Sequence, residues 1–125
     1  MFKDIKPAHE DHRRKLTAIF NGEFTAKQVK IIEVKGQSIL GGHFHDYREL
    51  FYILKGGATF YLENVETKEK SCVIMVEGSL MILPPKVAHR VIMKEGTISI
   101  EATEGIYVDA ETNDHPWKME CWFEC

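Results

Sequence analysis

From residue 29 to residue 109 the chain is a series of short apolar, β-branched runs with glycine at most of the joins. The runs are VKIIEVK (29–35), ELFYILK (49–55), ATFYLEN (58–64), CVIMVE (72–77), LMILP (80–84), HRVIM (89–93), TISIEAT (97–103) and IYVD (106–109). Gly36, Gly41, Gly42, Gly56, Gly78, Gly96 and Gly105 punctuate them, and Gly56-Gly57 makes a hairpin of the runs on either side. Many short strands joined by glycine turns predict an all-β sandwich or barrel. No long amphipathic helix, repeat or low-complexity segment competes with that reading. Upstream, LTAIF (16–20) is a further strand candidate and NGEF a turn. Residues 1–15 read as a charged arm. The closing stretch is interrupted by Pro116, and MECWFEC (119–125) fits a last strand or a short helix equally well. The whole, 1–125, is one domain's worth of chain: an arm (1–15), a barrel (16–110) and a C-terminal segment (111–125).

Charge and cysteine usage narrow the function classes. The formal net charge is -3, which favours neither nucleic acid nor an anionic membrane as partner. The one basic cluster, Arg13-Arg14-Lys15, follows Glu10 and Asp11. No apolar run is long enough to span a bilayer, and the N-terminus lacks the apolar segment of a signal peptide. A cytoplasmic location is the expectation. Cys72, Cys121 and Cys125 are odd in number and lack framework spacing, so reduced thiols are expected rather than a disulfide scaffold. Cys121 and Cys125 alone would make only a weak metal pair.

The chemistry is concentrated in GGHFHDYRELFYILKG, residues 41–56. Side chains two apart on a strand share a face, so His43 and His45 point the same way. The polar DYR that follows can turn the chain and bring Glu49 back beside the imidazoles. Two imidazoles and a carboxylate suit Zn, Mn, Fe, Co or Ni better than Ca or Mg. A fourth ligand candidate is His89, in GSLMILPPKVAHRVIM (78–93), where Pro84-Pro85 forces a bend before the strand.

These two stretches resemble the two motifs of the cupin superfamily. His43, His45, Glu49 and Gly56 fit the first motif, and Gly78, Pro84 and His89 the second. The match departs in three places. The glycine that usually precedes the first histidine is one residue out, at Gly36. Lys86 stands where a glycine is usual, and Met93 where an asparagine is. The resemblance implies a double-stranded β-helix, a jelly-roll barrel of two antiparallel sheets. It also implies a divalent transition metal held inside by His43, His45, Glu49 and His89, with positions open to a small molecule. Cupins often dimerise, so a homodimer is expected too.

Strand alternation predicts the rest of the pocket. Phe51 and Ile53 should face inward with Glu49, and Val91 and Met93 with His89. Leu50, Tyr52 and Leu54 then face outward and must pack on a neighbouring element or a second subunit. Phe51, Met93, Arg48 and Tyr61 are the substrate-contact candidates. Tyr47, Lys86 and Arg90 join Arg48 and Tyr61 as groups that could meet a nucleotide at the mouth. The reading of function that follows is a small-molecule enzyme acting on a carbohydrate-type or carbonyl substrate, isomerisation or epimerisation ahead of oxidation.

A second resemblance favours sugars. Asp11, Arg13, Leu16-Thr17, Phe24, Lys27 and Val29, followed by Gly41-Gly42-His43 and His45, are similar to the N-terminal half of the dTDP-sugar 3,4-ketoisomerases. In that family the two histidines are taken as acid and base, with no metal. The chain departs from it at Leu40, where the family has arginine, and at Glu49, its glutamine-like position. A non-enzymatic small-ligand binding module is the third possibility.

Overall fold

The computed structural model describes residues 2–119 and Cys125. In chain order the elements are β1 (Phe2–Asp4), β2 (His9–Glu10), β3 (Lys15–Leu16), β4 (Gln28–Glu33), β5 (Ser38–Phe44), β6 (Glu49–Lys55) and β7 (Gly57–Asn64). There follow β8 (Lys70–Val76), β9 (Ser79–Leu83), β10 (Val87–Met93), β11 (Ile98–Thr103), α1 (Ala110–Asn113) and β12 (His115–Pro116). Two five-stranded antiparallel sheets, ordered β1-β9-β6-β11-β4 and β12-β5-β10-β7-β8, form a cupin-type jelly roll, and β2 and β3 make a small ribbon.

The expected strands within 29–103 are present, with ends shifted by a residue or two. Three readings differ. Gly56-Gly57 does not close a hairpin: β6 and β7 lie in different sheets, and the chain crosses from one to the other there. IYVD is not a strand: residues 105–109 lead into α1, whose N-cap Asp109 accepts a hydrogen bond from the Thr112 backbone N–H. LTAIF contributes only Lys15–Leu16 to a strand. The alternatives for MECWFEC concern residues almost wholly outside those described. No helix among the described residues is long and apolar enough to cross a membrane.

The inner faces of the two sheets build the core. Phe51 and Ile53 of β6, Phe60 and Leu62 of β7, Met75 of β8, Met81 and Leu83 of β9, and Val91 and Met93 of β10 pack together. The alternation predicted from Glu49 and His89 therefore holds. The outer face of the first sheet is equally apolar, and Leu50, Tyr52, Leu80, Ile82 and Ala102 are buried there. They are covered by the chain's own N-terminal segment, through Ile5, Ile19, Phe20, Phe24 and Ala26. Each large aliphatic or phenyl side chain contributes on the order of 1.5–3 kcal/mol when fully buried. The apolar lid on this sheet is thus built mostly by residues 19–26, with Ile5 of the charged arm.

One expectation about the cysteines is corrected. Cys72 of β8 and Cys125 form a disulfide, with Cα atoms 5.4 Å apart. A separation of 53 residues hides such a pair from a reading of spacing, because only the fold brings β8 beside the chain end. Cys121 lies outside the described residues.

Candidate active site

Between the sheets lies a cavity of about 260 Å³. His43, His45, Tyr47, Glu49, Phe51, His89, Val91 and Met93 line it. Leu40 also lines it, although Leu40 and His43 are an odd number of residues apart. A β-bulge reconciles the two. His89 pairs with His43, but Arg90 pairs with Gly41, so Gly42 is the extra residue. Gly41 and Gly42 have φ of 88° and 90°, where a side chain would be strained. At Gly41 a Cβ would also stand 2.5 Å from the His89 carbonyl oxygen. The two glycines therefore re-aim the strand so that His43 and His45 enter the lumen.

The histidines form one cluster. Ring centroids are 4.7 Å apart for His43–His45 and for His43–His89. Glu49 opens β6, and its carboxylate spans two of the three: Oε1 is 3.1 Å from His45 Nε2, and Oε2 is 3.7 Å from His89 Nε2. The other face of His45 is fixed by a segment the sequence reading missed. His45 Nδ1 donates to the Asn113 carbonyl at 2.6 Å, and Asp114 Oδ1 lies 3.6 Å away. Tyr47 stacks on the His45 ring, with centroids 4.9 Å apart and planes 8° apart. Residues 113–117 reach this position because β12 pairs with β5 and the Trp117 N–H donates to the Gly42 carbonyl. The sequence signals a turn there and nothing about its destination.

Charge states follow from this geometry. With its Nδ1–H committed to Asn113, a neutral His45 would aim a lone pair at the Glu49 carboxylate. Burial opposes a charge on His45, but Glu49, the Asn113 carbonyl and Asp114 outweigh it and raise its pKa. Burial and the neighbouring His45 lower that of His43. Burial pushes His89 down to about 4. Burial also resists charge on Glu49, yet the surrounding histidines hold its carboxyl below the ordinary range. The lumen thus favours a charge on His45 and disfavours one on His43 and His89.

The same side chains fit a divalent ion. One ring nitrogen from each of His43, His45 and His89 lies within 4.8 Å of the others. His89 Nδ1 is buried without a hydrogen-bond partner, and Glu49 is already between two rings. Imidazole and carboxylate donors so placed suit a borderline transition metal.

The other expected contact residues divide. Phe51 and Met93 line the cavity, and Tyr47 does too. Arg48 does not: it donates to Glu104 at 2.6 and 2.7 Å and lies over the Phe24 ring. Tyr61 sits opposite Arg90 and Cys72 on the outward face of β7. Lys86 lies 3.9 Å from Glu66. The cation at the cavity is instead Lys30, whose Nζ is 5.9 Å from the Tyr107 ring centre. Glu101 is a second lining group missed from the sequence. Both sit on inward positions of strands that otherwise read as plain sheet.

No family model and no curated protein matches the chain. Solved structures do. A mutant of the 3,4-ketoisomerase QdtA from Thermoanaerobacterium thermosaccharolyticum, in complex with TDP-4-keto-6-deoxyglucose, is 19% identical; the match covers 91% of this chain and 84% of that one, with a TM-score of 0.76. The TDP-fucose-3,4-ketoisomerase WlaRA from Campylobacter jejuni is 16% identical over 90% and 86%, with a TM-score of 0.73. The dTDP-4-dehydrorhamnose 3,5-epimerase of Bacillus anthracis, with TDP and PPi bound, is 16% identical over 90% and 75%, with a TM-score of 0.75. This chain has the cupin-type barrel fold on which those keto-sugar enzymes are built.

Proposed function

We propose that the chain isomerises a keto sugar carried on a nucleoside diphosphate, with His43 and His45 moving the protons. The observation that carries this reading is the imidazole cluster itself: the His43 and His45 rings have centroids 4.7 Å apart, and the Glu49 carboxylate lies 3.1 Å from His45 Nε2. A C–H beside a ketone is acidic enough for an imidazole to remove when the developing oxyanion is stabilised. His43 is the base. His45 faces the oxygen, and its orientation is set by Asn113 and Tyr47. Phe51, Val91 and Met93 supply apolar walls that keep bulk water from the enediol.

Ligand chemistry supports the reading as well. Two of the three solved structures named above hold TDP or a TDP-linked keto sugar. The cavity, at about 260 Å³, is below the roughly 300–1,000 Å³ that engulfs a drug-sized ligand. It suits the sugar ring, with the nucleotide left at the mouth beside Lys30 and Tyr107. The homodimer belongs to the same proposal and is checked by light scattering.

The cluster also supports a second reading, in which His43, His45, His89 and Glu49 hold a divalent ion. Such an ion, when bound, polarises a carbonyl oxygen. The experiment is turnover of TDP-4-keto-6-deoxyglucose followed by NMR. The expected result is migration of the ketone to the neighbouring carbon, reduced roughly 100-fold or more in His43→Asn and His45→Asn. An unchanged substrate with the wild-type protein contradicts the proposal.

A further inference from the structure

Glu101 lies on β11 of the first sheet, across the lumen from the histidines of the second. It pairs with Phe51 on one side and Lys30 on the other, both inward positions. It is 8% exposed and lines the cavity. Burying a carboxyl costs a fold stability, and an apolar side chain would fill the position at less cost. Such a group in a cavity marks chemistry. The charged and titratable groups around it are Lys30 on β4, Glu49 on β6, His43 on β5, His45 beyond it and His89 on β10, with Tyr47, Tyr107 and Asp114 at the loops. Burial pushes Glu101 up to about 7 against the pull of Lys30, so both forms are present near neutrality.

We propose that Glu101 is a third proton-transfer residue, the base that takes the sugar's hydroxyl proton from the wall facing the histidines. The proposal rests on the keto-sugar reading. Moving a ketone to the adjacent carbinol carbon transfers two protons, one between carbons and one between oxygens. His43 takes the carbinol C–H proton; that electron pair becomes the C=C of the enediol, and the carbonyl oxygen takes a proton from His45. In the second half the other oxygen must lose its proton. His45 is held in place by Asn113, Glu49 and Tyr47, whereas Glu101 stands on the opposite wall. The Glu101 carboxylate takes the proton as the new C=O forms, and the C=C electrons take back the proton on His43 at the former carbonyl carbon. Glu101 then gives its proton to water and His45 regains one, so no cofactor or redox partner is consumed.

The test is Glu101→Gln with TDP-4-keto-6-deoxyglucose in D2O, reading two signals in one NMR experiment. Deuterium exchange beside the ketone needs only His43 and His45; ketone migration also needs Glu101. The expected pattern is exchange within a few-fold of wild type and migration reduced roughly 100-fold or more. Glu101→Asp, which keeps the carboxyl, should recover part of the migration. Unchanged migration in Glu101→Gln, equal loss of exchange and migration, or no difference between Asp and Gln each overturns the proposal. Wild-type protein that shows neither signal overturns the keto-sugar reading as well, so the two failures are distinguishable.

Discussion

At the scale of single residues, the site is held away from its stability optimum. Glu101 titrates at about 7 when folded, above the 4.5 of a free carboxyl. Below pH 4.5 the carboxyl is protonated whether the chain is folded or not, and folding loses nothing. Between 4.5 and 7 the unfolded chain releases its proton first, so stability falls as pH rises. Glu101→Gln should therefore be more stable than wild type at pH 8, by up to about 3 kcal/mol, and no more stable near pH 4. Paired thermal melts at the two pH values check this, and a gain independent of pH would contradict it. Lys86 offers a second case. It occupies the glycine position of the second motif with φ of 64°, and its N–H donates to the His45 carbonyl. Lys86→Gly should stabilise the fold by roughly 0.5–1 kcal/mol, since relief of left-handed strain exceeds the added freedom of the unfolded chain. Urea denaturation reads the difference.

At the scale of elements, the β5 bulge decides where the chemistry points. Gly41→Ala places a Cβ 2.5 Å from the His89 carbonyl oxygen at a strained φ, between the strands that carry His43 and His89. The expected outcome is a loss of about 2 kcal/mol or more in stability together with loss of activity. Wild-type activity in a folded Gly41→Ala protein would mean that the bulge does not aim His43. The shared face of His43 and His45, and the inward set Glu49, Phe51, Val91 and Met93, were legible because period two alone fixes them. The bulge was not legible, since Gly41-Gly42 also reads as a plain turn. Arg48 was misplaced for a similar reason: composition marks a cation, but only the fold shows it committed to Glu104. Asn113 reaches His45 across 68 residues of sequence, and nothing local signals it.

At the scale of the molecule, the N-terminal segment and the chain end act as two straps on one barrel. The first covers Leu50, Tyr52, Leu80 and Ile82. Removing residues 1–26 uncovers that face, and the shortened chain should aggregate or bind a hydrophobic dye; a monodisperse, fully active product would contradict this. The second carries Asn113 and Asp114 to His45, and beyond it Cys125 is joined to Cys72. The barrel between the straps was legible from glycine-punctuated strands, whereas the straps depend on long-range pairing. In the proposed reading the side chains of the lumen move the protons without a metal, and the most direct measurement is turnover after chelation. Protein stripped of metal, with residual metal counted by mass spectrometry, is given TDP-4-keto-6-deoxyglucose. The account predicts undiminished ketone migration at metal contents far below one ion per chain. Turnover that disappears on chelation and returns with an added divalent ion would contradict it.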